Sequence, residues 1–95
     1  MIIDRSPQIF AMASLAMDLK RMAMFINRGS WKNAERFKEE ALKRWEEIDE
    51  KKLKPYIKKY YNQLPEILNQ KDKKEIAEDA LMYSTIFQNY AIHNK

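Results

Sequence analysis

Residues 7–27 read PQIFAMASLAMDLKRMAMFIN. When this stretch is wound at about 100° per residue, one broad apolar face forms, as in an amphipathic helix. That face consists of Ile9, Met12, Leu15, Ala16, Leu19, Met22, Ala23 and Ile26. To one side of it lies a second apolar line of Phe10, Met17 and Met24, and a polar strip of Ser14, Asp18 and Arg21 completes the circumference. A helix that is apolar over most of its circumference is typically buried on several sides. We therefore expect the central helix of a bundle, or a helix that contacts a partner.

The composition predicts an all-α fold. The chain has no Val, a single Thr and a single Gly, so residues that favour strands are nearly absent. Ala, Leu, Met, Glu, Lys and Arg, which favour helices, are abundant. With 95 residues, of which 45% are hydrophobic and 34% charged, the chain is expected to form one globular domain, residues 1–95.

The helix boundaries follow from local signals. Ser6-Pro7 is typical of a helix start, Gly29 suits a left-handed helix end, and Pro55 interrupts the helical pattern. The apolar phase continues through Pro65, so the third helix is expected to be single and kinked there. Asp72 and Glu75 resemble a capping box. The predicted helices cover about 7–27, 31–51, 55–69 and 72–92. Because their turns are short, they are expected to form an antiparallel four-helix bundle of two helical hairpins.

The sequence gives no indication of an oxidising compartment or of a membrane. It contains no Cys, and charged residues interrupt its most apolar stretch. The N-terminus lacks the basic-then-apolar order of a signal peptide, so a cytoplasmic protein is expected. Many Lys, Glu, Ile and Tyr residues together with one Gly fit a thermophilic source.

The chain offers little for catalysis, so we expect a non-enzymatic protein without a catalytic or metal site and without a cofactor. His93 is the only His, and no Gly-rich phosphate loop or Glu-x-x-His pair occurs. Seven acidic residues between Glu35 and Glu50 are interpreted as a solvated face. The bundle resembles the architecture of HEPN-type ribonucleases, but residues 87–92 lack the Arg that precedes the catalytic His in that family.

Charge suggests a second possibility, because the net charge of +4 is unevenly distributed. Residues 51–74 carry eight Lys and two acidic residues. The candidate nucleic-acid contacts are Lys51, Lys52, Lys54, Lys58 and Lys59, with Tyr60 or Tyr61 available for base stacking if exposed. The alternative is a Lys-rich surface above core tyrosines. Lys in place of Arg favours non-specific contact at most, so nucleic acid is the less favoured partner.

The line of Phe10, Met17 and Met24 is the preferred interface candidate. Its seven-residue spacing suits a helix–helix contact, either in a homodimer or with a partner's helix. The alternative is that the line belongs to the core of a monomer. We predict a small protein-protein interaction or self-association domain that makes contact through its first helix. The alternative function is a nucleic-acid-associated protein that uses residues 51–59.

Overall fold

The computed structural model describes residues 7–94, and the predicted all-α bundle is confirmed in them. Four α-helices follow one another as α1 (Pro7–Asn27), α2 (Trp31–Glu47), α3 (Pro55–Leu68) and α4 (Lys73–His93), with a short 3-10 turn at Glu50–Lys52. Residues 1–6, including the predicted cap Ser6, lie outside the described residues, as does Lys95. No strand occurs between residues 7 and 94.

The helix ends largely follow the predicted signals. Gly29 adopts a φ of 79°, the left-handed conformation that glycine tolerates best. Asp72 caps α4, because its side chain accepts a hydrogen bond from the backbone N–H of Lys74. Ser30 occupies the N-cap position of α2 but makes no capping bond; its hydroxyl instead accepts a hydrogen bond from Asn33 Nδ2. The cap of α2 is therefore weaker than its sequence indicates.

The predicted extent of the second helix, residues 31–51, was too long. Ile48 leaves α2 in an extended conformation, and its side chain is buried. The Asp49 carboxylate then accepts a hydrogen bond from Lys51 N and starts the 3-10 turn. The hydroxyl of Tyr61 on α3 donates to the carbonyls of Trp45 and Ile48. A local turn at Asp49 and hydrogen bonds from α3 to the carbonyls of Trp45 and Ile48 thus accompany the end of α2 at Glu47.

Helix α1 is the central element and packs extensively against both α2 and α4. Small residues let α4 approach it closely: Ser84 Oγ donates a buried hydrogen bond of 2.7 Å to the carbonyl of Ala16. Aromatic rings instead separate α3 from α4, with Tyr60 against Tyr83 at 5.6 Å and Tyr56 against Tyr90 at 5.7 Å between centroids. The size of the side chains at each seam thus explains why α3 is the more peripheral helix.

Helix α3 continues through Pro65 as one helix, as its apolar phase predicts. Proline has no N–H, so the carbonyl of Tyr61, four residues earlier, loses its helical donor. Trp45 Nε1 donates to this carbonyl at 2.8 Å, and the Trp45 and Tyr61 rings stack with centroids 4.8 Å apart. Trp45 therefore replaces the bond that Pro65 removes and joins α2 to α3 at the same point.

Candidate interaction surface

The apolar line of α1 faces solvent. Phe10 is 57% exposed, Met17 44% and Met24 39%, whereas Met12, Leu15, Leu19 and Met22 on the same helix are completely buried. At about 100° per residue the line lies on the side of α1 opposite the buried face. The position of these residues excludes the interpretation of the line as the core of the single chain.

The flanks of α1 explain this orientation. On one flank Phe25 stacks on Phe37 of α2, with ring centroids 5.6 Å apart, and on the other Ala16 contacts α4. Helix α3 makes no comparably extensive contact with α1. In the part of the chain that the structure describes, the outer side of α1 is therefore left without a helix to cover it.

Asp18 does not extend the predicted polar strip to the surface, because its side chain is only 8% exposed and lies towards α2. Burial, the largest effect, raises the pKa of the Asp18 carboxyl above its ordinary value, and Glu40 raises it further, while Arg44 and Arg21 oppose the shift. The exposed charges near the line are therefore basic, Lys20 and Arg21. The Arg21 guanidinium lies 5.8 Å from the centroid of the Phe37 ring.

Helix α4 extends the apolar surface, a feature that the sequence interpretation missed. Leu81 and Ile92 are 47% and 51% exposed. They lie about 60–80° around α4 from Ser84, which contacts α1, and on the side away from the tyrosines that contact α3. They therefore flank the α1–α4 seam on its outer side. The signal in the sequence is weak, because Thr85 and Gln88 separate the two along the same stripe.

The lysine-rich region forms no base-stacking platform with the tyrosines considered for that role. Tyr61 is buried, and Tyr60 is half-buried with its ring edge-on to Tyr83. Lys59 Nζ lies 5.1 Å from the centroid of the Tyr60 ring, and Lys58 is half-buried. The tyrosine that is well exposed is Tyr56, at the start of α3.

Two of these lysines, Lys52 and Lys54, contribute to a cleft of about 400 Å³ where the start of α1, the segment before α3 and the end of α4 meet. The residues that line it are Gln8, Ile9, Lys52, Lys54, Tyr90, His93 and Asn94. The backbone N–H of Lys54 donates to the hydroxyl of Tyr90. Lys52, Lys54 and the His93 imidazole therefore share this cleft. Lys71, Lys73 and Lys74 instead lie beyond the opposite end of α3, about 20 Å away.

Among residues 7–94, no group of three or more His, Asp or Glu side chains is arranged to hold a metal ion. None of the helices in the described chain combines the length and apolar character that a bilayer span requires. Comparison with protein-family models, with curated proteins and with solved structures finds no match for this chain.

Proposed function

We propose that this protein is a non-enzymatic helical domain that associates with itself through the outer side of α1. The observation that carries the proposal is the exposure of Phe10, Met17 and Met24 along one line of the central helix. Scattered exposed apolar residues are ordinary on protein surfaces, but contiguous apolar patches commonly mark interaction sites. Here three large side chains follow one another at two-turn intervals on the same side of one helix.

Met and Phe are suited to such a contact. Methionine is flexible and polarisable, so it adapts to an opposing surface and makes favourable contacts with aromatic rings. Their seven-residue spacing keeps the three side chains on one side of a helix, which is the geometry of a helix–helix seam. The charges beside the line belong to Lys20 and Arg21, whose long stems can extend away from an apolar contact.

The test is the mass of the protein in solution, by light scattering behind a sizing column, over a range of concentrations at low and high salt. A dimer at both salts is expected, because apolar contacts do not weaken with salt as charge contacts do. Met17→Lys should shift the protein to monomers. Met82→Lys is the matched control, since Met82 is 50% exposed on α4 but lies outside the apolar line.

Two results would contradict the proposal: a wild-type monomer at every concentration, or a Met17→Lys variant that remains as dimeric as the wild type. Circular dichroism of both variants checks that the fold is intact. Because Met17 and Met82 are both exposed, neither substitution removes a buried contact, so unfolding is not expected to confuse the comparison.

The second candidate function is contact with nucleic acid. The observation in its favour is that Lys52 and Lys54 share a cleft with His93 and Asn94. Asn94 Nδ2 donates a hydrogen bond to the hydroxyl of the exposed Tyr56. It predicts that a single-stranded oligonucleotide binds with an affinity that falls steeply with salt. Lys52→Glu/Lys54→Glu should weaken binding, whereas Lys71→Glu/Lys74→Glu, beyond the far end of α3, should weaken it less. Binding that is absent at low salt, or equal for both variants, would reject it.

A further inference from the structure

The exposed line of α1 is symmetric about its middle residue. Phe10 and Met24 lie seven residues before and after Met17, which corresponds to about 10.5 Å along the helix axis in each direction. When two copies of α1 cross in opposite directions at Met17, each Met17 meets its counterpart and each Phe10 meets Met24 of the other copy. Both outer contacts then pair a thioether with an aromatic ring, which is a favourable combination.

The charges beside the line favour the same direction. Lys20 and Arg21 lie on opposite flanks of the line, so in a parallel pairing Lys20 of one copy would lie opposite Arg21 of the other, and like charges at close range repel. In an antiparallel pairing centred on Met17, Lys20 instead lies opposite Ala13, and Arg21 opposite Ser14, of the other copy. Asp18, the single acidic residue of α1, is buried towards α2 and does not offset a parallel repulsion across the seam.

The area of the contact requires a second helix. Helix α1 has 21 residues and is therefore about 31 Å long. At a width of about 10 Å, its outer side offers roughly 300 Å² per protomer, so two copies bury about 600 Å², less than a specific interface usually needs. Helix α4 runs antiparallel beside α1, because Ser84 bonds to Ala16 in the middle of both helices while Ile9 at the start of α1 shares a cleft with His93 at the end of α4. It presents Leu81 and Ile92 on the same outer side. Its inclusion roughly doubles the area.

One symmetry axis both pairs α1 in the antiparallel direction and brings α4 into the contact. A two-fold axis that lies in the interface and runs from Met17 across to α4 is perpendicular to both helices, so it sets α1 antiparallel to its copy and α4 against its own copy. The interface is then self-complementary, as a two-fold dimer contact must be. An axis parallel to the helices would instead leave Met17 away from its counterpart whenever both helices are used.

We infer that the occupant of the exposed face is a second copy of this chain, with α1 antiparallel to α1 across Met17 and α4 against α4. This inference rests on the proposed self-association and specifies its geometry. It makes Met17 the centre of the contact, Phe10 and Met24 its two ends, and Leu81 and Ile92 its second row.

The chain has no Cys, so single cysteines report the geometry without interference. Met17→Cys should form a disulfide-linked dimer under mild oxidation. Phe10→Cys alone and Met24→Cys alone should not, because their counterparts lie about 21 Å apart, beyond the Cα separation of about 7 Å that a disulfide spans. An equimolar mixture of Phe10→Cys and Met24→Cys should cross-link, at a rate at least about tenfold above that of the Met82→Cys control.

The mass of each variant in its reduced form is first measured by light scattering. This measurement tests self-association separately from the antiparallel geometry. Dimers in which Phe10→Cys or Met24→Cys links to itself would overturn the antiparallel arrangement but leave self-association standing. Dimers that link at none of these positions would also overturn the antiparallel arrangement across Met17. A monomeric wild type would remove both proposals. Where a substitution itself dissociates the dimer, a mixture of Ser14→Cys and Arg21→Cys, which lie on the same flank of the apolar line, gives the same readout beside it.

Discussion

The bond between Trp45 and the Tyr61 carbonyl predicts an energetic coupling between Trp45 and Pro65. Trp45→Phe removes the N–H that satisfies this carbonyl while an aromatic ring remains at the position. An unsatisfied buried acceptor costs about 1–3 kcal/mol. In a Pro65→Ala background, the new backbone N–H of Ala at position 65 can donate to the same carbonyl. The free-energy cost of Trp45→Phe is then expected to fall by about 1 kcal/mol.

Four proteins form the double-mutant cycle: wild type, each single variant and the double variant. Urea unfolding followed by far-ultraviolet circular dichroism gives the free energy of unfolding of each. The contact area that a smaller ring loses is the same in both backgrounds, so it cancels in the coupling energy. For a domain of this size, a difference of about 1 kcal/mol corresponds to about 4–8 °C in Tm, so thermal unfolding provides a second measurement.

Trp31→Phe is the matched control, because Trp31 is the other Trp of the chain and lies at the start of α2, where its ring contacts Lys73. Its cost should be equal in the Pro65 and Ala backgrounds. The explanation of how α3 tolerates Pro65 fails if Trp45→Phe costs the same in both backgrounds within about 0.3 kcal/mol. It also fails if Trp31→Phe shows a coupling of similar size.

Two further predictions concern the seams of α1. Asp18→Asn should raise the free energy of unfolding at pH 7, because the raised pKa of Asp18 makes its ionised form less favourable in the folded state. This gain should shrink as the pH falls through that raised pKa and vanish below about 4, where Asp18 is protonated in both states; Tm against pH, with Glu39→Gln as an exposed control, measures it. Ser84→Ala should cost about 0.5–1.5 kcal/mol through loss of the bond to Ala16, and Ser84→Leu should cost more because bulk enters a close seam. Equal costs would contradict a close approach of α1 and α4.

The number and order of the helices could be predicted because their signals are local. Gly29 and Asp72 act on the residues next to them, and an apolar phase of 3.6 residues persists through Pro65. The end of α2 could not be predicted in the same way. The carbonyl of Ile48 accepts a hydrogen bond from the hydroxyl of Tyr61, thirteen residues later, so contacts of the assembled fold help to determine where α2 stops.

The candidate surface was predictable in part. The spacing of Phe10, Met17 and Met24 identifies the line, but the orientation of α1 depends on which helices occupy its two flanks. Those neighbours follow from tertiary packing, such as the small residues at the α4 seam, rather than from the sequence of α1. Asp18 illustrates the same limit. As a charged residue beside an apolar face it is expected to face solvent, yet its side chain is buried towards α2.

The strength of the proposed dimer follows from the same geometry. Burying a large apolar side chain completely contributes about 1.5–3 kcal/mol, and the five exposed residues of the face are each about half exposed already. Two protomers together therefore gain on the order of 10 kcal/mol, against about 4–15 kcal/mol for the lost freedom of association. The balance is small, so the dimer should be weak and should dissociate on dilution. The three residues of α1 alone would contribute only about 5–9 kcal/mol for the two protomers, so Leu81 and Ile92 supply a substantial part of the contact.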